Sequence, residues 1–140
     1  MFHFPIRIYY EDTDAGGVVY YANYLKYLER CRTEWLRRAG FDQSLLLREH
    51  QLGFVVRRVE ADYLRPAILD DQLEVGLRVE KLGAAQIVFA QTVCRRDAAG
   101  APELLLSARV QIVSVNMGNM RPAPIPAWMK TQLQEATEQP

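Results

Sequence analysis

Cysteine and histidine are scarce in this sequence of 140 residues. There are two of each, Cys31 and Cys94, His3 and His50. Neither histidine has a neighbouring histidine or cysteine at ligand spacing, so no metal site is expected. An excess of one charge is missing too. Lys+Arg is 17 and Asp+Glu is 17, a formal net charge of zero. That argues against a nucleic-acid binder, which carries a clear basic excess, but leaves room for a local patch that holds a small anion. No apolar run approaches the ~20 residues that span a bilayer, so no transmembrane segment is expected. Residues 1–14 have no apolar signal region and place acids early, so the expected location is cytoplasmic. No G-x-S-x-G elbow, P-loop or G-x-G-x-x-G occurs. If such a chain is an enzyme, carboxylates are its leading acid–base or nucleophilic groups, with no cofactor implied.

What is present is globular composition, 49% hydrophobic and 24% charged, enough for one domain over residues 1–140. Residues 4–10 read as a strand, followed by a polar loop bearing Gly16 and Gly17. A helix is expected over 23–39, stopped by Gly40. Tyr24, Leu28, Cys31 and Trp35 mark its apolar face, and Leu25 and Leu36 widen it. Lys26, Arg30, Glu34, Arg37 and Arg38 lie largely outside that face. A short helix follows over 43–49.

From there the period changes to two. Val55, Arg57, Val59, Ala61 and Tyr63 alternate with Val56, Arg58, Glu60, Asp62 and Leu64, and Pro66 ends that strand. Leu73, Val75, Leu77 and Val79 mark a strand buried on one face. Further strands are expected at 87–95 and 104–116. The proline-rich stretch 121–126 excludes helix and central strand, and a last helix closes the chain at 127–136. Short connections between successive strands demand antiparallel pairing. The fold class is therefore α+β: an antiparallel sheet wrapped round one long helix, the shape called a hotdog. One helix cannot cover both faces of such a sheet, and an open edge needs a partner. A homodimer joined edge to edge is expected, with a dimer of dimers as its extension.

The segment Tyr9-Tyr10-Glu11-Asp12-Thr13-Asp14-Ala15-Gly16-Gly17 concentrates chemistry. Three carboxylates fall within four residues. Gly17 permits close backbone approach and is counted with the substrate-binding positions. The helix N-terminus that follows offers free N–H groups and a positive dipole end to a negative oxygen. A carboxylate beside such an end makes an acyl-transfer site. An acidic glycine turn that shapes the backbone and caps the helix fits the same residues.

The pattern Tyr10-x-Asp12-x-Asp14-x-x-Gly17-x-Val19-x-x-x-x-Tyr24 resembles the signature of the 4-hydroxybenzoyl-CoA thioesterase family of hotdog proteins. The similarity is greatest to its Tol–Pal-associated acyl-CoA thioesterase branch. Glu29-Arg30-Cys31-Arg32-Thr33-Glu34 and Tyr63-x-Arg65-Pro66-Ala67-x-Leu69-Asp70-Asp71 extend the match over nearly the whole chain. The resemblance implies hydrolysis of an acyl-CoA thioester, or of an acyl carrier protein thioester. It implies that Asp14 is the catalytic carboxylate and that the backbone N–H of Tyr21 holds the thioester oxygen. The Tol–Pal-associated members usually carry histidine where this chain has Tyr21; the hydroxybenzoyl branch carries tyrosine. Tyr10 matches a position whose ring walls the acyl pocket, with ordinary packing at a strand end as the other reading. Asp12 shapes the turn, and Glu29 on the helix is the second candidate catalyst. Arg57 and Arg65, with Arg58, Arg95 and Arg96, are candidates for the CoA phosphates. Two other readings stand beside the thioesterase. One is a non-catalytic acyl- or partner-binding module of the Tol–Pal envelope system. The other is a dehydratase, for which the acidic loop has no histidine.

Overall fold

The computed structural model describes residues 1–139. Strand β1 (Phe2–Arg7) leads through a 3-10 turn (Tyr10–Asp12) to α1 (Asn23–Arg38) and α2 (Gln43–His50). Strands β2 (Leu52–Tyr63), β3 (Gln72–Leu82), β4 (Gln86–Arg96) and β5 (Pro102–Asn116) follow, then the two-residue β6 (Arg121–Pro122) and α3 (Ala127–Glu138). The main sheet runs β1-β3-β4-β5-β2, all antiparallel, with β6 beside the end of β5. The α+β hotdog architecture is what the sequence indicated. The first strand is shorter than residues 4–10: it ends at Arg7, because Tyr9 to Asp12 turn over the Tyr9 N–H to Asp12 Oδ2 bond (2.8 Å).

The long helix α1 packs its inner face on β1 and β3. Tyr24, Leu28, Cys31, Trp35 and Leu36 are buried there, joined by Tyr27 and Arg32. That i, i+3, i+4 stripe holds the helix on the sheet. Truncating Leu28, which has no exposed surface, to alanine would cost about 2–5 kcal/mol. Leu25 departs from the expectation: it is exposed, one step round the helix and above the β2 edge.

Paired residues of adjacent antiparallel strands share a face, so the register defines rows. Leu77, Gln91, Ala108 and Ala61 form one row; Val79, Phe89, Val110 and Val59 form the next. A bulge in β2 skips Arg57, so Val56 pairs with Ile112 and Val59 with Val110. Strict alternation puts Val56 and Val59 on opposite faces; the bulge brings both to the helix-facing side. The sheet ends in β2, a 12-residue strand with no strand among the described residues on its outer side, where Val56, Val59 and Tyr63 remain exposed.

Candidate active site

The loop between β1 and α1 is held shut at its base by Asp12. Its backbone oxygen accepts from Tyr20 N (3.0 Å) and from the Asn23 amide Nδ2 (2.9 Å). Asp12 is thus a scaffold residue, as the sequence suggested. Beyond it, Asp14 N donates to Val18 O (2.9 Å), and Gly17 N donates to Asp14 O (3.0 Å). Gly17 sits at φ 81°, a left-handed conformation that favours glycine. Gly16 N donates to Asp14 Oδ1 (2.8 Å). The other carboxylate oxygen, Oδ2, accepts no hydrogen bond from the described residues, and Asp14 is exposed.

A second segment, residues 64–71, braces this loop against α1. Val18 bridges to Ile68, Val19 N donates to Ala67 O (2.9 Å), and Ala67 N donates to the Tyr24 hydroxyl (3.0 Å). Burial raises the Tyr24 phenol above its ordinary pKa. Burial, with the Asp12 carboxylate second, likewise pushes the Tyr27 phenol up. Arg95 ties the brace to the sheet through Asp71 (2.7 Å), Pro66 O (3.0 Å) and Glu103 (3.0 Å).

The first turn of α1 is left open. Ala22, at the cap position, supplies no side-chain acceptor, and no acid lies in the first turn. Asn23 N donates to Tyr20 O (2.9 Å). A peptide is planar and trans, so fixing that carbonyl turns the Tyr21 N–H the opposite way. The N–H groups of Tyr21 and Ala22 donate to nothing among the described residues. They lie at the positive end of a helix of 16 residues, where a negative oxygen is favoured. The Tyr63 hydroxyl holds the Tyr21 carbonyl (3.0 Å).

The other residues singled out from the sequence fall as follows. The Tyr21 ring is exposed and rests on Tyr20 (centroids 5.0 Å apart) and Tyr63 (6.3 Å). Tyr10 is 82% exposed in the protomer. Arg57 is the bulged residue of β2. Arg65 is engaged with Glu103 (2.9 Å), and Arg95 is held between Asp71 and Glu103. Glu29 is exposed on α1 and accepts from Thr33 Oγ1 (3.2 Å), about 10 Å along the helix from Ala22 at ~1.5 Å per residue. Tyr63, Asn23 and Ala67 are the supporting residues not assigned a role in advance. Tyr63 and Ala67 lie in one of the motif stretches, but a hydrogen-bond partner 42 positions away in the chain leaves no local pattern.

This arrangement suits acyl transfer: an exposed carboxylate with one oxygen pinned, in the loop that leads into the unpaired N–H donors of α1. Residues 9–133 match the thioesterase-like superfamily. The acyl-CoA thioesterase YbgC of Haemophilus influenzae is 46% identical over 129 residues, covering 92% of this chain and 91% of the relative. The acyl-CoA thioester hydrolase YbgC of Escherichia coli is 41% identical over 126 residues, 90% of each. Among solved structures, a probable thioesterase from Bartonella henselae superposes with TM-score 0.81 at 35% identity, covering 89% of this chain and 98% of that one. A 4-hydroxybenzoyl CoA thioesterase complexed with 4-hydroxybenzoyl CoA shares the fold, with TM-score 0.87 at 21% identity over 93% and 96% of the two chains.

Proposed function

The chain belongs to the thioesterase-like superfamily, and from that premise we propose that it hydrolyses acyl-CoA thioesters with Asp14 as its working carboxylate and the Tyr21 N–H as its oxyanion donor. The observation that carries this reading is the free Oδ2 of Asp14 in the same loop that leads into the undonated N–H groups opening α1. Asp14 attacks the thioester carbonyl, giving a mixed anhydride that water cleaves, or it takes a proton from the attacking water. Both routes place negative charge on the former carbonyl oxygen, where a preorganised N–H is worth roughly 3–4 kcal/mol. The leaving CoA thiolate takes up a proton, and the acid departs. The hydroxyl of Tyr21 has no part in this sequence; its backbone does the work.

A single protomer leaves the site half walled, with Tyr10, Tyr21 and Tyr63 exposed. We infer that a second copy pairs along β2 and supplies the other wall, as a dimer or a dimer of dimers. A long edge strand with exposed apolar residues is a ready template for pairing with another chain. Of the five arginines named for this role, Arg57 is the preferred CoA phosphate contact: Arg58, Arg65 and Arg95 are ion-paired with carboxylates and Arg96 donates to Gly100 O. The thioester carrier is CoA, with acyl carrier protein as the other donor to be tested. Both cysteines are free thiols, which fits the cytoplasm.

The test is release of free thiol from a panel of acyl-CoAs by the purified protein and by Asp14→Asn. Hydrolysis by the wild type that collapses in the variant supports the reading. A wild type that binds acyl-CoA without releasing thiol would make it a binding module, and unimpaired Asp14→Asn with a dead Glu29→Gln would move the carboxylate to the helix.

A further inference from the structure

Between α1 and β2 lies an open groove of about 510 Å³, whose walls include Leu25, Leu28, Val56, Val59 and Val110. Its floor carries a charge. Arg32 lines the groove yet is only 8% exposed, and its one side-chain hydrogen bond among the described residues runs from Nη1 to Gln91 Oε1 (3.0 Å). Gln91, fully buried in the middle of the sheet's apolar inner face, donates in turn to Leu28 O (3.0 Å). No carboxylate among the described residues makes an ion pair with Arg32. Glu29, the acid whose charge acts on it, accepts from Thr33.

A guanidinium has five N–H donors, and a buried one without an anion is costly. Among the described residues, four of the five donors have no partner. The groove's remaining charges, Lys26 and Arg30 against Glu29, leave it net positive. Helical side chains lean towards the N-terminus, and the bond to Gln91 sets this guanidinium near the level of Leu28. That is about 9 Å along the axis from Ala22, six residues at ~1.5 Å each. A thioester carbonyl at the start of α1 would send a medium-length acyl chain past Leu25 and onto Arg32.

We propose that Arg32, set by Gln91, terminates the acyl groove and selects acyl groups whose far end carries an oxygen acceptor, a carboxylate above all. This rests on the placement of the thioester at the helix start. A methyl terminus of the same length must desolvate the guanidinium without replacing its hydrogen bonds, whereas a carboxylate makes charge-assisted bonds to it. Short acyl groups never reach Arg32 and escape the discrimination.

Binding of octanoyl-CoA and of the suberic acid mono-CoA thioester to Asp14→Asn, by calorimetry, separates this from the catalytic assignment because it needs no turnover. The carboxylated ligand should bind about tenfold tighter, the worth of one charged hydrogen bond. Adding Arg32→Met should erase the preference, Arg32→Lys should keep part of it, and neither should change the affinity for propionyl-CoA. The kcat/KM ratio of the two long substrates with the wild type should move in parallel. Equal binding of the two long ligands to Asp14→Asn overturns the proposal, even if Arg32→Met fails to fold. So does an unchanged ratio in a folded Arg32→Met, or an Arg32→Met protein that merely dissociates to protomers with the preference intact. Failure of the catalytic reading would show instead as slow hydrolysis of every acyl-CoA by the wild type, with the binding preference unaffected.

Discussion

Tyr63, the last residue of β2, donates its hydroxyl to the carbonyl of Tyr21 at 3.0 Å, so the sheet edge and the start of the central helix meet across the mouth of the site. The Tyr21 carbonyl belongs to the same peptide as the Ala22 N–H. Holding one end of that rigid unit aims the other. The edge strand that a partner copy would cover is therefore mechanically joined to the Ala22 N–H, the donor next to that of Tyr21.

Removing that joint tests it. Tyr63→Phe deletes a bond worth about 1 kcal/mol. It should lower kcat about fivefold while leaving KM nearly unchanged. Tyr21→Phe should keep most of the wild-type kcat, since its hydroxyl bonds to no described residue. Steady-state kinetics on both variants decides the point, and a collapse in Tyr21→Phe would bring the phenol into the chemistry.

Asp14→Asn should lower kcat by at least ~10²-fold. The melting temperature should stay within a degree or two, because an asparagine Oδ1 can still accept from Gly16 N, the one side-chain bond Asp14 makes. Calorimetry alongside the thiol assay distinguishes lost chemistry from a lost loop.

Val59→Lys places a charge on the exposed, helix-facing side of β2. Sedimentation should shift from an oligomer to a protomer of 16.1 kDa, and activity should fall with it. A wild type that is monomeric at micromolar concentration contradicts the second wall.

Cys31 should be silent towards thiol reagents in the native protein at mildly alkaline pH. It has no exposed surface, and burial pushes its thiol up to about 12. Burial raises the Cys94 thiol as well. Colorimetric titration should count both cysteines rapidly only after denaturant is added; fast labelling of Cys31 in native protein would mean that α1 opens.

Glu103 accepts from Arg95 and Arg65, and those bonds hold its carboxyl below the usual carboxylate range. A carboxyl depressed in the folded state contributes stability above its unfolded value, ~4.3, and loses it as pH falls through the folded value. Glu103→Gln should therefore be less stable than wild type at neutral pH, with the difference shrinking from about pH 4.5 downwards. Melting temperatures across that range test the sign.

Much of the site was legible because its parts are consecutive. The acids of the loop, the glycines and the helix start fall within one short stretch, and turn chemistry acts locally. Tyr63, Asn23 and Ala67 were not, because each acts through a hydrogen bond closed by tertiary contact. Arg65 reads as a free cation in a linear motif, yet its guanidinium is shared with Glu103 once β5 comes alongside.

From the sequence alone follow the order of elements, the antiparallel sheet, the amphipathic face of α1 and the acidic loop before it, because period, capping and turn preferences are short-range. The tertiary structure alone decided which way the edge faces and what the groove holds. Pairing with β5 inserted the bulge at Arg57 and brought Val56 and Val59 to one side; no local pattern encodes a bulge. The same packing carried Arg32, a charge that helical spacing does not mark for burial, onto Gln91 at the floor of the groove. Whether a cation is solvated or buried depends on the surface its helix is laid against.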